Sequence, residues 1–320
     1  MLMQQNQLYS VKSSAAFLGY KLKVMPVNTK LKPGACRQNV FLGCFIFVFL
    51  LSGGLGHKTD PIAAGTRVDK AYTAGYKFAT NVTGSVSSKT RFRQPPVLCY
   101  HQVRNWVASD AKADRSYIVP VKTFHEQMSI LNDSGYRAVL PDQWIAYRQR
   151  NEPLPQKTFI LTFDDGTRSQ FDHALPELDR LGYKAVFFIM TVAMDKNRYM
   201  TRKQIRRLAE EGHVIGCHTW DHHDVRFYKE ADWQVQLVQP ARLLEAVTGR
   251  PVRYFAYPFG SWNAAAVKQL INNNYKMGFQ LYGPLDRETP EFTVRRILVD
   301  GGWSANRLMK AMAQFKAQNP

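Results

Sequence analysis

The chain has 320 residues, 45% apolar and 12% aromatic, with 43 basic and 25 acidic side chains and a net charge of +18. This composition supports a sizeable core in one or two domains and excludes a wholly disordered chain. The 20 glycines, 16 prolines and four cysteines without a CxxC pair exclude collagen-like, low-complexity and disulfide-dense classes. The basic excess attracts anionic membranes, glycans or nucleic acid, and charge alone does not choose among them.

Residues 1–59 hold seven basic side chains and no acid, and residues 38–57 carry no charge at all. Within that stretch residues 40–51 form an apolar run behind the basic flank, the polarity of a signal peptide or an N-in anchor. A buried core helix is the bland alternative, since the run is short for a bilayer span. Export, and hence an extracytoplasmic location (periplasm or cell surface, secreted or anchored), is the expectation. The 37 residues ahead of the uncharged stretch are long for a signal peptide, so Met25 is read as the true start. Leu42-Gly43-Cys44 resembles a lipobox on the wrong side of the run, so no lipidation is expected there. Residues 60–92 mix Ala, Gly, Thr, Ser and Lys without a period and read as a linker, leaving 93–320 as the folded domain.

From there strands and helices alternate. Apolar strands are predicted over 96–100, 158–163, 184–190, 213–217, 252–257, 275–280 and 294–299. Helices are predicted over 121–132, 170–181, 201–211, 233–247, 264–272 and 307–315. Regular β/α alternation implies parallel strands covered by helices, with chemistry gathered at the strand C-termini. His101, Asp164, Asp165, His218 and Pro258 all fall at such ends.

Asp164 and Asp165 leave an apolar strand into a glycine turn, so one can bind a metal while the other faces a reacting water. His218 and His222 stand four apart, which on a helical turn puts two imidazoles on one face. An aspartate with two histidines leaves coordination positions open, the pattern of a catalytic site. Each motif alone is common by chance; two at successive strand ends, with His101 at a third, are not readily ascribed to it.

Thr162-Phe163-Asp164-Asp165-Gly166 and His218-Thr219-Trp220-Asp221-His222 resemble the first two motifs of the polysaccharide deacetylases, the NodB-homology or family-four carbohydrate esterases. Tyr254-Phe255-Ala256-Tyr257-Pro258-Phe259-Gly260 resembles the third, and the likeness covers about residues 95–300. The resemblance implies a distorted (β/α) barrel of about seven strands. It implies Asp164 as general base and Asp165, His218 and His222 as ligands of a divalent metal, zinc by preference, with nickel or cobalt open. It also implies an oxyanion and substrate loop formed by Tyr257, Pro258, Phe259 and Gly260, the N–H of Phe259 being the candidate donor.

Two departures stand out. Ala256 occupies the position where the third motif carries the arginine that orients the base, and Arg295 or Arg296 is the candidate replacement. No histidine follows His223 to serve as the late catalytic acid; instead Leu98-Cys99-Tyr100-His101 ends a strand before the first motif. That order resembles the circularly permuted deacetylases of poly-β-1,6-N-acetylglucosamine, with His101 as the acid. The implied substrate is that N-acetylated polysaccharide; peptidoglycan, chitooligosaccharide and a non-catalytic glycan-binding role are the rival readings. Expected partners are the polysaccharide, the membrane through the N-terminal segment and exopolysaccharide synthesis or export components, and no nucleic acid. His213 reads as a packed strand-edge residue, His125 and His173 as helix-surface residues, and His223 as an alternative to His222. Trp262 and Trp303 read equally as sugar-groove or core residues. Cys99 and Cys217 are expected to pack behind the strands, with a disulfide between them as the lesser alternative.

Overall fold

The computed structural model describes residues 92–318. The N-terminal basic and apolar segments, and the linker up to residue 91, lie outside the described residues. Phe92, the last residue of the expected linker, packs edge-on against Trp144 at 5.4 Å beneath the Arg148 guanidinium. Among the described residues no helix is long and apolar enough to cross a membrane.

The strands are β1 (Val97–Tyr100), β2 (Gln102–Val103), β3 (Ile118–Val119), β4 (Arg137–Ala138), β5 (Thr158–Phe163), β6 (Val186–Ile189), β7 (Val214–Cys217), β8 (Tyr254–Ala256), β9 (Met277–Phe279) and β10 (Ile297–Leu298). The helices are α1 (Val121–Asp133), α2 (Pro141–Arg150), α3 (Leu175–Leu181), α4 (Arg202–Glu210), α5 (Gln239–Thr248), α6 (Ala264–Asn272) and α7 (Ala305–Gln318). The main sheet runs β10-β1-β5-β6-β7-β8-β9, with β4 pairing β5 off this path. All its pairs are parallel. The segment leading into β10 bridges β9 at Phe279–Val294, then pairs β1 at Ile297 and Leu298. One short stretch therefore curls the sheet towards closure, giving the distorted seven-stranded (β/α) barrel expected from the sequence.

Local chemistry sets the helix ends. Thr201 caps α4 in a reciprocal box: its hydroxyl accepts from Gln204 N and its own N–H donates to Gln204 Oε1. Asn263 caps α6 by accepting from Ala266 N at 2.8 Å. Two predicted helices, 170–181 and 233–247, each open with a wide π-type turn (Gln170–Ala174 and Gln234–Val238) before α3 and α5. The strand predictions over 275–280 and 294–299 shrink to β9 and β10, because backbone pairing ends where the barrel bends. Helix α2 escaped prediction. Its sequence is polar, and it is held by the buried Trp144 and Ala146 and a proline in the first turn.

Strand alternation divides the core. Phe159, Leu161 and Phe163 of β5 face the helices, within the large layer that also holds Phe187 and Phe255. Ile160 faces the barrel interior with Val97, Val186, Phe188, Tyr254, Ala256, Met277, Phe279 and Val294. Gly216 is the inward residue of β7, where a Cβ would lie 2.4 Å from the Phe188 ring. The interior is filled, so any chemistry must sit on its rim.

Candidate active site

The inward register of each strand continues one step past its end: 97, 99, 101 along β1; 160, 162, 164 along β5; 214, 216, 218 along β7. His101, Asp164 and His218 therefore meet over the C-terminal rim of the barrel. Asp164 and His218 are buried, and His101 is half-buried. Asp165 escapes the alternation because its backbone is left-handed, φ 73°, ahead of Gly166, φ 72°. Such a conformation in a non-glycine residue is strained, and strain of this kind gathers at functional sites.

Asp164 is gripped by Arg296. The guanidinium donates to both carboxylate oxygens, at 2.6 Å (Nη1 to Oδ1) and 2.7 Å (Nη2 to Oδ2). It also donates to Thr162 Oγ1 and to the Gln280 carbonyl. Burial, the largest single influence, opposes ionisation of Asp164, but the charge and hydrogen bonds of Arg296 together with the neighbouring histidines outweigh it and hold the carboxyl well below the usual carboxylate range. Burial likewise disfavours the Arg296 charge, and Asp164 more than offsets it. Of the two arginines singled out from sequence, Arg296 takes the place that Ala256 leaves empty. Arg295 alternates to the other strand face, its backbone bonded with Gln94. Cys99 Sγ lies 3.5 Å from Asp164 Oδ2, and both Cys99 and Cys217 are buried free thiols, so the disulfide alternative fails.

Asp165, His218 and His222 place one ligand atom each within 4.8 Å of one another. Asp165 Oδ1 stands 3.6 Å from His218 Nε2 and 3.8 Å from His222 Nε2. His218 Nδ1 lies 2.7 Å from the Ala256 carbonyl, which can only accept, so the proton sits on Nδ1 and the Nε2 lone pair faces the site. That buried Nε2 has no hydrogen-bond partner. Burial, the largest cause, pushes His222 down to about 4, so its ring is neutral at pH 7. Two imidazole lone pairs facing a carboxylate oxygen repel it, and a divalent cation between them relieves all three. The residues fit such an ion, and the backbone carbonyl behind His218 is the usual way of orienting a histidine ligand.

The four-residue spacing works differently from the helical turn that the sequence suggested. His218 follows the end of β7, and Thr219 and His222 both adopt left-handed backbone, φ 67°. Thr219 Oγ1 accepts from His222 N at 2.9 Å and closes this loop. A loop, and not a helix face, brings the rings together. His223 turns outward to Asp221 at 2.7 Å and stays exposed.

His101 stands within 4.8 Å of Asp164, its ring edge-on to Tyr117 at 5.0 Å. Its buried Nδ1 has no partner. In the third-motif turn Phe259, φ 59°, is exposed and its ring packs edge-on against His222 at 4.6 Å. The hydrogen bonds of that turn run from Gly260 N to Tyr257 O and from Ser261 N to Pro258 O, leaving the Phe259 N–H outside the turn's own pairing. Pro258 and Gly260 are buried beneath it. The Tyr257 side chain does not reach a substrate surface: it is fully buried in the helix-facing layer, its hydroxyl donating to the Phe292 carbonyl at 2.8 Å. Trp303 packs against the same layer beneath Arg307, and Trp262 packs there too, donating to Gln280. Both are core-associated side chains. His213 is buried, with Nδ1 accepting from Ala185 N, while His125 bonds Glu177 on the surface. His173 is exposed. Sequence reasoning missed Tyr117 and Gln170, which lie outside the recognised motifs.

A parallel barrel with a paired carboxylate and an Asp-His-His cluster on its C-terminal rim has the architecture of a (β/α)-barrel hydrolase, with residues able to hold a divalent metal. Residues 151–278 match the polysaccharide deacetylase family model. That stretch carries a polysaccharide deacetylase domain, and its relatives and structural neighbours make the chain a polysaccharide N-deacetylase by class. It is 25% identical over 212 residues to YxkH of Bacillus subtilis (strain 168), which carries the provisional name polysaccharide deacetylase; the match covers 66% of this chain and 73% of YxkH. It is 22% identical over 255 residues to the poly-beta-1,6-N-acetyl-D-glucosamine N-deacetylase of Escherichia coli (strain K12). That match covers 66% of this chain but only 38% of the relative. Among solved structures the Streptococcus pyogenes deacetylase PplD, in complex with acetate, superposes with a TM-score of 0.64 at 23% identity. It covers 70% of this chain and 99% of that one. IcaB from Ammonifex degensii superposes at 0.58 with 25% identity, covering 69% and 98%.

Proposed function

We propose that this chain hydrolyses N-acetyl groups of poly-β-1,6-N-acetylglucosamine with the help of a divalent metal, releasing acetate and leaving glucosamine units. The observation that carries the reading is the juxtaposition on one rim of three things: the Asp164–Arg296 pair, the Asp165-His218-His222 cluster and His101. A cation held by that cluster would supply Lewis-acid polarisation of the acetamide carbonyl and an acidified water.

The chain's own residues divide the remaining work. Asp164 stays ionised because Arg296 faces it, and its Oδ2, 3.9 Å from His218 Nε2, is placed to accept a proton from the attacking water. The bidentate arginine fixes the plane of that carboxylate. The Phe259 N–H, left outside the pairing of its turn, would donate to the developing oxyanion, and the exposed Phe259 ring offers an apolar face to a sugar. His101 lies within 4.8 Å of Asp164, where it would protonate the departing amine.

Two features support the β-1,6 polymer over peptidoglycan and chitooligosaccharide. The acid histidine stands at the end of β1 ahead of the first motif, and the likeness to the Escherichia coli poly-beta-1,6-N-acetyl-D-glucosamine N-deacetylase covers 66% of this chain. The basic, apolar N-terminal segment supports export or anchoring outside the cytoplasm, where such a polymer is processed. The test is acetate release from poly-β-1,6-N-acetylglucosamine, chitooligomers and peptidoglycan, with and without chelator. Fastest release from the β-1,6 polymer, abolished by chelation and restored by zinc, is expected. Faster release from either other polymer refutes the substrate, and chelator-resistant turnover refutes the metal.

A further inference from the structure

Gln170 is fully buried and lies in none of the motifs that identify the family. It opens the π-type turn Gln170–Ala174 that precedes α3. Turns of this kind are rare and are frequently found at functional sites. Its carboxamide nitrogen donates to two backbone carbonyls far apart in sequence, that of His101 at 2.7 Å and that of Asp164. The orientation of the amide is settled by its partners. Both are acceptors, and the opposite flip would set an amide oxygen against two carbonyl oxygens.

From this geometry we infer that Gln170 is a positioning residue whose NH2 group clamps the ends of β1 and β5 together, setting the spacing between Asp164 and His101. The inference rests on the reading of Asp164 as base and His101 as acid. The two strand ends leave the barrel at the last shared hydrogen bond, Asp164 N to Tyr100 O. Beyond it sheet pairing no longer holds them, and Gln170 supplies the next link. Thr167 Oγ1 adds a longer contact to the same His101 carbonyl at 3.4 Å. Amide hydrolysis needs both groups in one geometry, because base and acid act on the same tetrahedral species, and misplacement by an ångström is costly. Hydrolysis of an ester with a good leaving group needs the base but no proton donor.

The test uses the full chain with Gln170→Met and Gln170→Glu, and His101→Ala alongside. Zinc content, acetate release from poly-β-1,6-N-acetylglucosamine (or a chitooligomer, if that is turned over faster) and hydrolysis of 4-nitrophenyl acetate are measured. Both Gln170 variants are expected to retain zinc and to lower the amide-to-ester rate ratio by about tenfold or more, chiefly through kcat. A merely structural role lowers both rates together. An unchanged ratio in the Gln170 variants, with a collapsed ratio in His101→Ala, overturns the clamp and spares the acid. An unchanged ratio in His101→Ala overturns both. If neither Gln170 variant folds, deuterium exchange of the Gln170 carboxamide in the unsubstituted enzyme decides. Exchange slowed about 100-fold against exposed glutamines supports the clamp, and free exchange refutes it.

Discussion

Replacing Arg296 with methionine isolates the Asp164–Arg296 pair. Both side chains are almost wholly excluded from solvent, 0% and 3% exposed, and they meet in a bidentate geometry. Methionine retains much of the volume inside the barrel and removes the charge. Asp164 then keeps a weak thiol contact from Cys99 and loses the guanidinium that neutralises it. Breaking a buried pair from one side costs about 3–5 kcal/mol, because an uncompensated charge remains. That is a large share of the roughly 5–15 kcal/mol that stabilises a typical domain. For a domain of this size it corresponds to about 6–20 °C in Tm. Urea unfolding and thermal melts of Arg296→Met measure the loss, and Arg296→Met/Asp164→Asn provides the control. The double variant should regain most of the stability, since no charge is left buried, while acetate release stays absent. If Arg296→Met costs under about 1 kcal/mol, or the double variant is no more stable than the single, the pair is not what holds the carboxylate.

Asp164→Asn is expected to lower acetate release by at least about 10³-fold while retaining metal, read by kinetics and elemental analysis; metal loss in a folded sample contradicts the division between the two aspartates. His218→Ala and His222→Ala should each abolish stoichiometric zinc binding in equilibrium dialysis, with circular dichroism unchanged. His213 supplies a pH test away from the site. Burial and then Lys184 push it down to about 3, against about 6.5 in the unfolded chain. The unfolded state takes up the proton first, so this contribution is complete above about pH 6.5 and is lost as pH falls towards 3. Between pH 6.5 and 5 that amounts to about 2 kcal/mol, which His213→Asn should remove from the pH dependence of urea melts. Gly216→Ala, with its Cβ 2.4 Å from Phe188 and 3.0 Å from the Tyr254 carbonyl, should cost about 1–3 kcal/mol in the same assay.

The parallel β/α alternation and the candidate ligands at its strand ends were legible from residues, because each rests on short-range chemistry, while the barrel and the division of roles between Asp164 and Asp165 came from the family resemblance. Strand 158–163 was read to the residue, since an unbroken apolar run is what a strand covered on both faces requires. Asp165, His218 and His222 could be nominated because each motif is contiguous and ends a strand. The loop that joins the two histidines could not be foreseen, since left-handed backbone at Thr219 and His222 depends on what the loop packs against. Polar α2 carried too weak a period to be read without its tertiary partner Phe92.

What the chain alone determined, then, is which strand ends carry carboxylates and imidazoles. What tertiary structure decided is which face each residue takes and which distant groups meet. Arg295 and Arg296 are chemically equal in the sequence; the phase of β10, set by its pairing with β1 and the bridge at Val294, sends Arg296 into the barrel. Alternation along β8 buries Tyr257 among the helices, and the left-handed turn at Phe259 leaves that ring at the surface. Gln170 becomes a clamp only because β1 and β5 are neighbours. Alternation along one strand is local, but its origin is fixed by partners far away in sequence.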